Sequence, residues 1–177
     1  AILPPSPSLS VVATLALINN DIAVDSTRNL IYASVASSAT SYANAVVKID
    51  PANGSVVGSV SIGSNPGPLA ISDDARYLYV GLVTVPSVVR IDLTTFTKDT
   101  EFLLGSATLG PYYAEDLLVI SGSSRSLAVS RRNGCCIPRH EGVAVYDDGV
   151  MRPKATQRHT GSNRIVRGPT STRIYGY

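Results

Sequence analysis

A short strand-like motif recurs along the chain at a nearly constant interval. Its copies share a central apolar residue, and they are NLIYAS (29–34), RYLYVG (76–81), RSLAVS (125–130) and TRIYGY (172–177). The central residues Ile31, Leu78, Leu127 and Ile174 are separated by 47, 49 and 47 positions. A repeat of this length is typical of a supersecondary unit that cannot bury its apolar face alone and stacks on copies of itself. The interval therefore predicts a row of similar units.

Composition indicates that these units are built from β-strands. The chain has 177 residues, of which 44% are hydrophobic, so one well-buried domain can form without disulfides or metals. Charged residues make up only 16%, and no long stretch rich in Ala, Glu, Lys and Leu indicates an extended helix. The sequence also lacks a run of roughly 18 apolar residues and a basic segment at its start. It therefore predicts neither a membrane span nor an intact signal peptide.

Each predicted unit contains four short strands. In the first unit (21–67), DIAVDSTRNLIYASV reads as strand, turn and strand, and two further strands flank the turn at Asn53 and Gly54, residues that tolerate positive φ. The second unit (68–114) follows the same plan. The third unit (115–168) has a long link, RRNGCCIPRHE, before its third strand and a polar fourth strand near residues 152–160.

The two ends of the chain do not form whole units. Residues 1–10 are rich in Pro and Ser and are predicted as a tail or linker. Residues 11–20 match the fourth strand of the first unit and are predicted as an orphan outer strand, whereas residues 169–177 are predicted to begin a fourth unit. The expected fold is all-β: a partial β-propeller of about three four-stranded antiparallel blades with incomplete blades at both ends. A two-sheet sandwich is disfavoured because it gives no reason for a fixed interval.

The repeats resemble a known family. PLAISDDARYLYVG followed by VVRIDLTT, and IAVDSTRNLIYAS followed by VVKIDPANGSVVGSVSIGSNP, are similar to YVTN-type repeats of bacterial and archaeal β-propellers, which are related to NHL and lactonase-type blades. The resemblance covers roughly residues 11–177, and the third repeat departs from it in its long link. It implies that the first strand of each blade lines a channel and that ligands bind where loops gather at one channel mouth. It implies a fold and no particular activity, since such blades serve surface-layer, binding and enzymatic roles.

The two cysteines, Cys135 and Cys136, are adjacent and lie in the long link. One interpretation is a vicinal disulfide that acts as a redox switch or as a rigid platform for a ligand. Alternatively, they are two small apolar residues, or each pairs with a cysteine elsewhere. A zinc site formed with His140 and Glu141 is a weaker hypothesis because the CxxC spacing is absent. We therefore predict no metal site and no cofactor.

Positive charge is concentrated towards the end of the sequence. Residues 1–114 hold 5 Lys and Arg against 8 Asp and Glu, whereas residues 115–177 hold 10 against 5. Around the cysteines, Arg131, Arg132, Arg139 and His140 form a candidate basic binding loop that would attract an acidic partner. Nucleic acid is disfavoured as that partner because interleaved aromatic residues and RNA-binding motifs are lacking. Without a GxSxG nucleophile motif, the imidazoles of His140 and His159 are predicted to be exposed loop side chains rather than catalytic groups.

An aspartate follows the third strand of every unit. These residues, Asp50, Asp92 and Asp147, could form a carboxylate ring for calcium, but we expect each to accept hydrogen bonds from amides of the following turn. Arg76 and Arg125 also recur, just before the second strand, and we expect them to pair with local acids or carbonyls.

The sequence favours a non-enzymatic scaffold of an extracellular or cell-surface protein, with a periplasmic location as an alternative. Binding or assembly would use loops and exposed blade edges, whose unpaired backbone groups recruit further strands. The partners would be a protein or carbohydrate, missing blades of a longer parent chain, or neighbouring copies. One alternative is a surface-layer or filament subunit completed by its neighbours. Another is a fragment of a lactonase-like or cofactor-dependent enzyme, although the first strands DIAVD, PLAIS and LLVIS offer mainly apolar and small groups. No catalytic residue is predicted.

Overall fold

The computed structural model of the chain describes residues 13–170 and 172–177. In this part of the chain there are sixteen β-strands and no α-helix. Twelve of the strands form three four-stranded antiparallel sheets, each made of consecutive strands in sequence order, and we call these sheets blades 1 to 3. Two strands at the C-terminal end form a two-stranded sheet, and two very short strands form a hairpin between blades 2 and 3. No helix in the described ranges is long and apolar enough to cross a membrane.

The strands have the following bounds. Blade 1 contains β1 (Asn19–Asp25), β2 (Leu30–Val35), β3 (Ala45–Asp50) and β4 (Ser55–Ser61). Blade 2 contains β5 (Pro66–Ile71), β6 (Tyr77–Leu82), β7 (Ser87–Asp92) and β8 (Thr97–Leu103). The hairpin consists of β9 (Ser106–Ala107) and β10 (Gly110–Pro111). Blade 3 contains β11 (Tyr113–Val119), β12 (Ser126–Arg132), β13 (His140–Asp147) and β14 (Val150–Ala155), and the two-stranded sheet contains β15 (Ile165–Arg167) and β16 (Ile174–Gly176).

The chain ends differ from the sequence interpretation. Residues 13–18 of the expected orphan strand have no strand pairing, residues 19 and 20 already belong to β1, and residues 1–12 lie outside the described part. At the other end, β15 pairs with β16, so the fourth unit starts at Ile165 rather than at residue 169. The short hairpin β9–β10 had no counterpart in the prediction.

The recurrent apolar residue occupies the same place in every sheet. Ile31, Leu78, Leu127 and Ile174 lie in β2, β6, β12 and β16, the second strand of each sheet. Leu78 packs in the apolar core between blades 1 and 2, and Leu127 packs in the core between blades 2 and 3. Both are fully buried, whereas Ile31 and Ile174 are only partly buried. In blades 2 and 3 this residue therefore faces the preceding blade.

Burial along the strands reflects this face-to-face packing. The second strand of blade 2, β6, is buried along its whole length because neighbouring blades cover both of its faces. The fourth strand of blade 1, β4, alternates between exposed and partly buried residues. The first strands β1, β5, β11 and β15 lie side by side, and they form the inner side of the row of blades.

Candidate functional site

The predicted basic loop does not present its charges as a group. Arg131 is only 4% exposed, and its guanidinium donates a hydrogen bond of 3.0 Å to the carbonyl oxygen of Glu141. The same guanidinium lies over the ring of Tyr112, 4.4 Å from its centre. The guanidinium of Arg131 is thus packed inside blade 3. The expectation that Arg131 belongs to an accessible binding loop was therefore wrong.

The other members of the basic loop have separate surroundings. Arg132 is half-buried and forms an ion pair with Glu115, with 2.9 Å between Nε and Oε2. Arg139 is exposed. His140 is only 3% exposed, so the prediction of an exposed loop histidine was wrong for this residue, while His159 is exposed. His140 begins β13, and its burial depends on packing that one sequence segment does not reveal.

His140 is a buried imidazole without polar partners. Both of its ring nitrogens lack a hydrogen-bond partner among the described residues. Burial lowers the pKa of His140 against the opposing effect of the Glu141 carboxylate, while His159 and Arg131 act in the same direction as burial. A lowered pKa favours the neutral ring, which has one N–H donor and one acceptor nitrogen.

The long link that carries the cysteines is anchored by Asn133. The side-chain oxygen of Asn133 accepts hydrogen bonds from the backbone N–H groups of Cys135 (3.1 Å) and Cys136 (2.8 Å). Its amide nitrogen donates to Oε1 of Glu141 at 3.1 Å, and Oε2 of Glu141 pairs with Nε of Arg158 at 3.1 Å. Asn133 is completely buried and Glu141 nearly so. Sequence analysis missed this network, for which the Asn133-Gly134 turn dipeptide was the only local signal.

The cysteine side chains are exposed at the tip of this link. Their sulfur atoms lie 2.13 Å apart in the structure. Whether the pair acts as a redox switch or as a ligand platform stays a prediction. No group of three or more His, Cys, Asp and Glu side chains within the described ranges is arranged to hold a metal ion.

The repeated aspartates mostly have the expected role. Asp50 accepts a hydrogen bond from the N–H of Ala52, and Asp92 accepts one from the N–H of Thr94, at 2.9 and 2.8 Å. Asp147 differs, because its carboxylate accepts from the hydroxyl of Ser126 and from the guanidinium of Arg152. The recurring arginines pair with acids as expected: Arg76 with Asp92 and Arg125 with Asp148.

A polar cleft of about 250 Å³ lies where the first strands of the blades come together. We call it the inner cleft, and it is lined by Asn20, Asp21, Gly67, Pro68, Val83, Ala114, Glu115, Arg132 and Arg164. These residues come from all four sheets or the segments leading into them. Sequence analysis expected the inner strands to present mainly apolar and small groups, and the charged lining corrects that expectation.

Two aspartates on first strands, of which Asp21 lines this cleft, join neighbouring sheets. Asp21 lies at a bulge of β1 and accepts a hydrogen bond of 2.8 Å from the N–H of Leu69 in blade 2. Asp116 lies at the corresponding bulge of β11 and accepts one of 2.8 Å from the N–H of Ile165 in the two-stranded sheet. Burial raises the pKa of Asp116, although its amide donors and Arg164 act in the opposite direction.

A serine stands opposite each of these aspartates and makes a second connection. Ser34 pairs with Asp21 in the strand register, and its hydroxyl donates to the carbonyl oxygen of Gly67 at 2.8 Å. Ser130 pairs with Asp116 and donates to the carbonyl oxygen of Ser162 at 2.7 Å. The recurrence of Asp and Ser at matched register positions was the signal that sequence analysis overlooked.

Blades 2 and 3 are joined differently. In place of a serine, blade 2 has Gly81, and a Cβ atom added there would lie 2.6 Å from Cβ of Ala114 and 2.9 Å from Cγ of Pro68. Close backbone packing therefore takes the place of the Asp and Ser connections. Further out, the guanidinium of Arg90 in blade 2 bridges to Asp148 of blade 3 at 2.7 Å.

Comparison by sequence finds no protein-family model that matches the chain and no matching curated protein. Solved structures do match its fold. The RRP9 WD40 repeats give a TM-score of 0.64 at 14% identity, over 85% of this chain and 42% of that chain. The dihydro-heme d1 dehydrogenase NirN in complex with DHE gives 0.65 at 16% identity, over 90% and 32%. The β-propeller domain of Myceliophteria thermophila Cps50 (Swd1) gives 0.56 at 14%, over 81% and 39%.

At identities of 14–16% the likeness concerns the fold alone. Together with the stacked four-stranded sheets, it identifies the fold as a partial β-propeller, as the repeat interval predicted. The chain spans between 32% and 42% of the length of these three structures.

Proposed function

We propose that the chain is a non-enzymatic β-propeller scaffold that binds or assembles through the open apolar faces at the two ends of its row of blades. The observation that carries this proposal is the unequal burial of one repeated position. Leu78 and Leu127 are each covered by the preceding blade, whereas Ile31 faces a place where the described residues supply no blade. The surface around Ile31 has the same chemistry as the buried interfaces.

The open face of blade 1 exposes several large apolar side chains. Ile22 is 57% exposed and Val24 is 64% exposed, although both lie on a strand of the blade. A groove of about 320 Å³ is lined by Ile22, Ile31 and Ile49 together with residues of the segment 13–18. That segment covers the face only in part, chiefly through Leu17. An exposed apolar patch of this kind is typical of an interaction surface.

The other end of the row is incomplete in a different way. Blade 3 faces a sheet of only two strands, and a cavity of about 420 Å³ remains between them. Val143, Val145 and Ala155 of blade 3 line one side of this cavity, and Ile165 and Ile174 line the other. Two more strands added beside β16 would fill the cavity and bury this surface, as the third and fourth strands do between blades 1 and 2.

We infer that both faces bind further blades of the same repeat type, supplied by a longer parent protein or by neighbouring copies. We also propose that the chain is a YVTN-type propeller and that it comes from an extracellular or cell-surface protein of a bacterium or archaeon. The repeat residues and the low charge content support it. Neighbouring copies would make the protein a surface-layer or filament subunit, in which each copy completes the next.

Sedimentation equilibrium tests the proposal with the double variant Ile22→Thr, Val24→Thr. Because both side chains lie on the open face, we expect self-association of the purified chain to weaken roughly tenfold or more while the fold is retained. Val150→Thr is the matched control, since Val150 is 71% exposed but lies on the outer strand of blade 3, and it should not change association. A chain that stays monomeric and resists proteolysis before and after the change would contradict the proposal.

The inner cleft favours a second candidate function, a lactonase-like or cofactor-dependent enzyme. It brings carboxylates of different blades, Asp21 and Glu115, together with Arg164 near the inner strands. Hydrolysis of a panel of lactones, with and without divalent cations, tests this candidate. Activity that is lost in Asp21→Asn and kept in Asp50→Asn would support it, and no turnover of any lactone would leave the scaffold as the better account.

A further inference from the structure

The position after the recurrent apolar residue also repeats, and it is occupied by Tyr32, Tyr79 and Ala128 in blades 1 to 3 and by Tyr175 in the two-stranded sheet. The first three are at most 1% exposed, whereas Tyr175 is 50% exposed. Successive side chains of a strand point to opposite faces of a sheet. Because Ile174 lines the cavity beside blade 3, Tyr175 lies on the other face of the two-stranded sheet, which we call the outer face.

In blades 1 and 2 the repeated tyrosine packs against the following blade. Tyr32 lies in the apolar core that contains Leu78 of blade 2, and Tyr79 lies in the core that contains Leu127 of blade 3. A tyrosine on one blade thus meets the core around the recurrent apolar residue of the next blade. Among the described residues no sheet follows β16, so Tyr175 has the place of a blade contact without the blade that would cover it.

The side chain beside Tyr175 belongs to the same surface. Val166 pairs with Tyr175 in the register of β15 and β16, and it is 43% exposed. Its counterparts are Ala23 and Ala70, each opposite the tyrosine of its own blade, and both pack against the cores between blades. The outer face therefore presents the kind of side chains that blades 1 and 2 bury against their neighbours.

Hydrogen bonds between blades follow the same repeat. The hydroxyl of Tyr79 donates to the carbonyl oxygen of Ser124 at 2.9 Å, and the guanidinium of Arg28 donates to that of Ala75 at 2.7 Å. Each acceptor stands three positions before the recurrent apolar residue of the following blade. In blade 1 the carbonyl oxygen at this position belongs to Arg28 itself. A sheet that precedes blade 1 would find its acceptor there.

Charge on the inner side of the row favours the same neighbour. Asp21, Asp116 and Arg164 hold equivalent places on the first strands of their sheets, opposite Ser34, Ser130 and Tyr177. Nη1 of Arg164 lies 3.8 Å from Oδ1 of Asp116 in the preceding blade, and the Arg164 side chain is 63% exposed. Blade 1 placed after the two-stranded sheet would bring Asp21 to the other side of Arg164, with the opposite charge.

We propose that the outer face of the two-stranded sheet docks on the open face of blade 1 of a second copy of this chain. Tyr175 of one copy covers Ile31 of the other, and its hydroxyl donates to the carbonyl oxygen of Arg28. A second copy is the partner because this chain carries both complementary surfaces. The surfaces differ, so the contact is head-to-tail and does not form a two-fold dimer. This inference rests on the proposed function and specifies which faces meet.

Two variants that each disable one surface test the proposal by sedimentation equilibrium. Tyr175→Asp disables the outer face, and the double variant Ile22→Thr, Val24→Thr disables the face of blade 1. Each variant alone should associate at least about tenfold more weakly than the unchanged chain. An equimolar mixture should form a one-to-one dimer and nothing larger, because one competent surface remains on each partner. Leu103→Asp is the control, since Leu103 is 69% exposed on the outer strand of blade 2, and it should leave association unchanged.

A milder variant tests the outer face without adding a charge. Tyr175→Phe removes only the hydroxyl and should weaken association about fivefold, through loss of the bond to the carbonyl oxygen of Arg28. Hydrogen exchange of the Ile165 amide, which Asp116 holds, reports whether the two-stranded sheet stays folded in both Tyr175 variants. Unchanged association of Tyr175→Phe would contradict the predicted hydrogen bond.

The outcomes separate this inference from the proposed function. Full association of the Tyr175→Asp variant alone would mean that two blade 1 faces meet each other, which would overturn the head-to-tail contact and leave the proposed function standing. A mixture of folded variants that stays monomeric, while the unchanged chain associates, would also overturn it. An unchanged chain that is monomeric at every concentration would contradict the proposed function itself.

Discussion

Asp21 and Asp116 illustrate how single side chains connect neighbouring sheets. Each accepts a backbone N–H from the next sheet, at Leu69 and at Ile165 respectively. A carboxylate that accepts an amide N–H makes a stronger bond than a neutral acceptor does. Without it the donor amide would lack its partner, so these two positions control the contact between first strands.

Hydrogen exchange of the two donor amides provides a reciprocal test. Asp116→Ala should lower the protection of the Ile165 amide and destabilise the two-stranded sheet by about 1–3 kcal/mol, while the Leu69 amide keeps its protection. Asp21→Ala should do the reverse, so each variant serves as the control for the other. Equal loss of protection at both amides in either variant would mean that the aspartates act only on global stability.

Gly81 offers a second test at the scale of one residue. We expect Gly81→Ala to lower the free energy of unfolding by about 1–3 kcal/mol, because the added methyl group meets Ala114 and Pro68 at the contact between blades 2 and 3. Gly58→Ala is the matched control, since the added methyl group would meet only the flexible end of Lys48. Urea unfolding measures both. Adding Ala114→Gly to the Gly81→Ala variant should restore part of the loss, and no recovery would argue against the steric explanation.

Sequence reasoning succeeded at residues whose role is local. The turn aspartates Asp50 and Asp92 were predicted because their hydrogen bonds reach only two residues along the chain. His140 and Asp116 were not recognised because their surroundings come from distant segments. Periodicity predicts that a position is repeated, but burial and pKa depend on which other blade lies opposite.

At the scale of elements, an ion-pair network connects the outer parts of blades 2 and 3. Arg90 of β7 pairs with Asp99 in its own blade and with Asp148 in the turn after β13, and Asp148 also pairs with Arg125. The Arg90 side chain is only 6% exposed, so its charge needs these partners. The guanidinium of Arg90 holds the pKa of Asp148 below its ordinary value of 3.8.

This network predicts a defined dependence of stability on pH. Because the folded-state pKa of Asp148 is lowered, its contribution is present above about pH 4 and is lost as the pH falls through the folded-state value. Asp148→Asn should therefore be less stable than the unchanged chain at about pH 7, and the difference should disappear at about pH 2. Urea unfolding across this range measures it, with Asp50→Asn as a control. A difference that is the same at every pH would rule out this linkage.

The long link of blade 3 gives another prediction for an element. If the protein works outside the cytoplasm, exposed Cys135 and Cys136 should be oxidised. Alkylation followed by mass measurement should then add nothing without reductant and two groups after reduction. Two groups added without reductant would show free thiols. The link keeps its anchor in either state, since Asn133 bonds the backbone of both residues.

Most strands were predictable from the sequence, whereas the ends of the row were not. Alternating or continuous apolar residues between turn signals located the strands of the three blades, because each strand is defined by nearby residues. Residues 13–18 resemble an outer strand in sequence but lack a partner strand in the described structure. A β-strand needs a partner strand as well as a suitable pattern of residues, and the pattern does not show whether a partner is present.

At the scale of the whole molecule, the interfaces between neighbouring blades are buried, whereas the faces at the two ends of the row are apolar and open. The interfaces around Leu78 and Leu127 are closed, while Ile22 and Val24 remain exposed at one end and a cavity remains beside Ile174 at the other. A propeller normally removes such faces by continuing its blades around an axis. If the chain functions as proposed, further β-strands cover both ends of the row in the working protein.

The native mass of the protein isolated from its source tests this expectation most directly. The account predicts a particle well above 18.6 kDa, the mass of this chain, because additional blades or neighbouring copies cover the open faces. A particle of 18.6 kDa that is monomeric and resists proteolysis would contradict it.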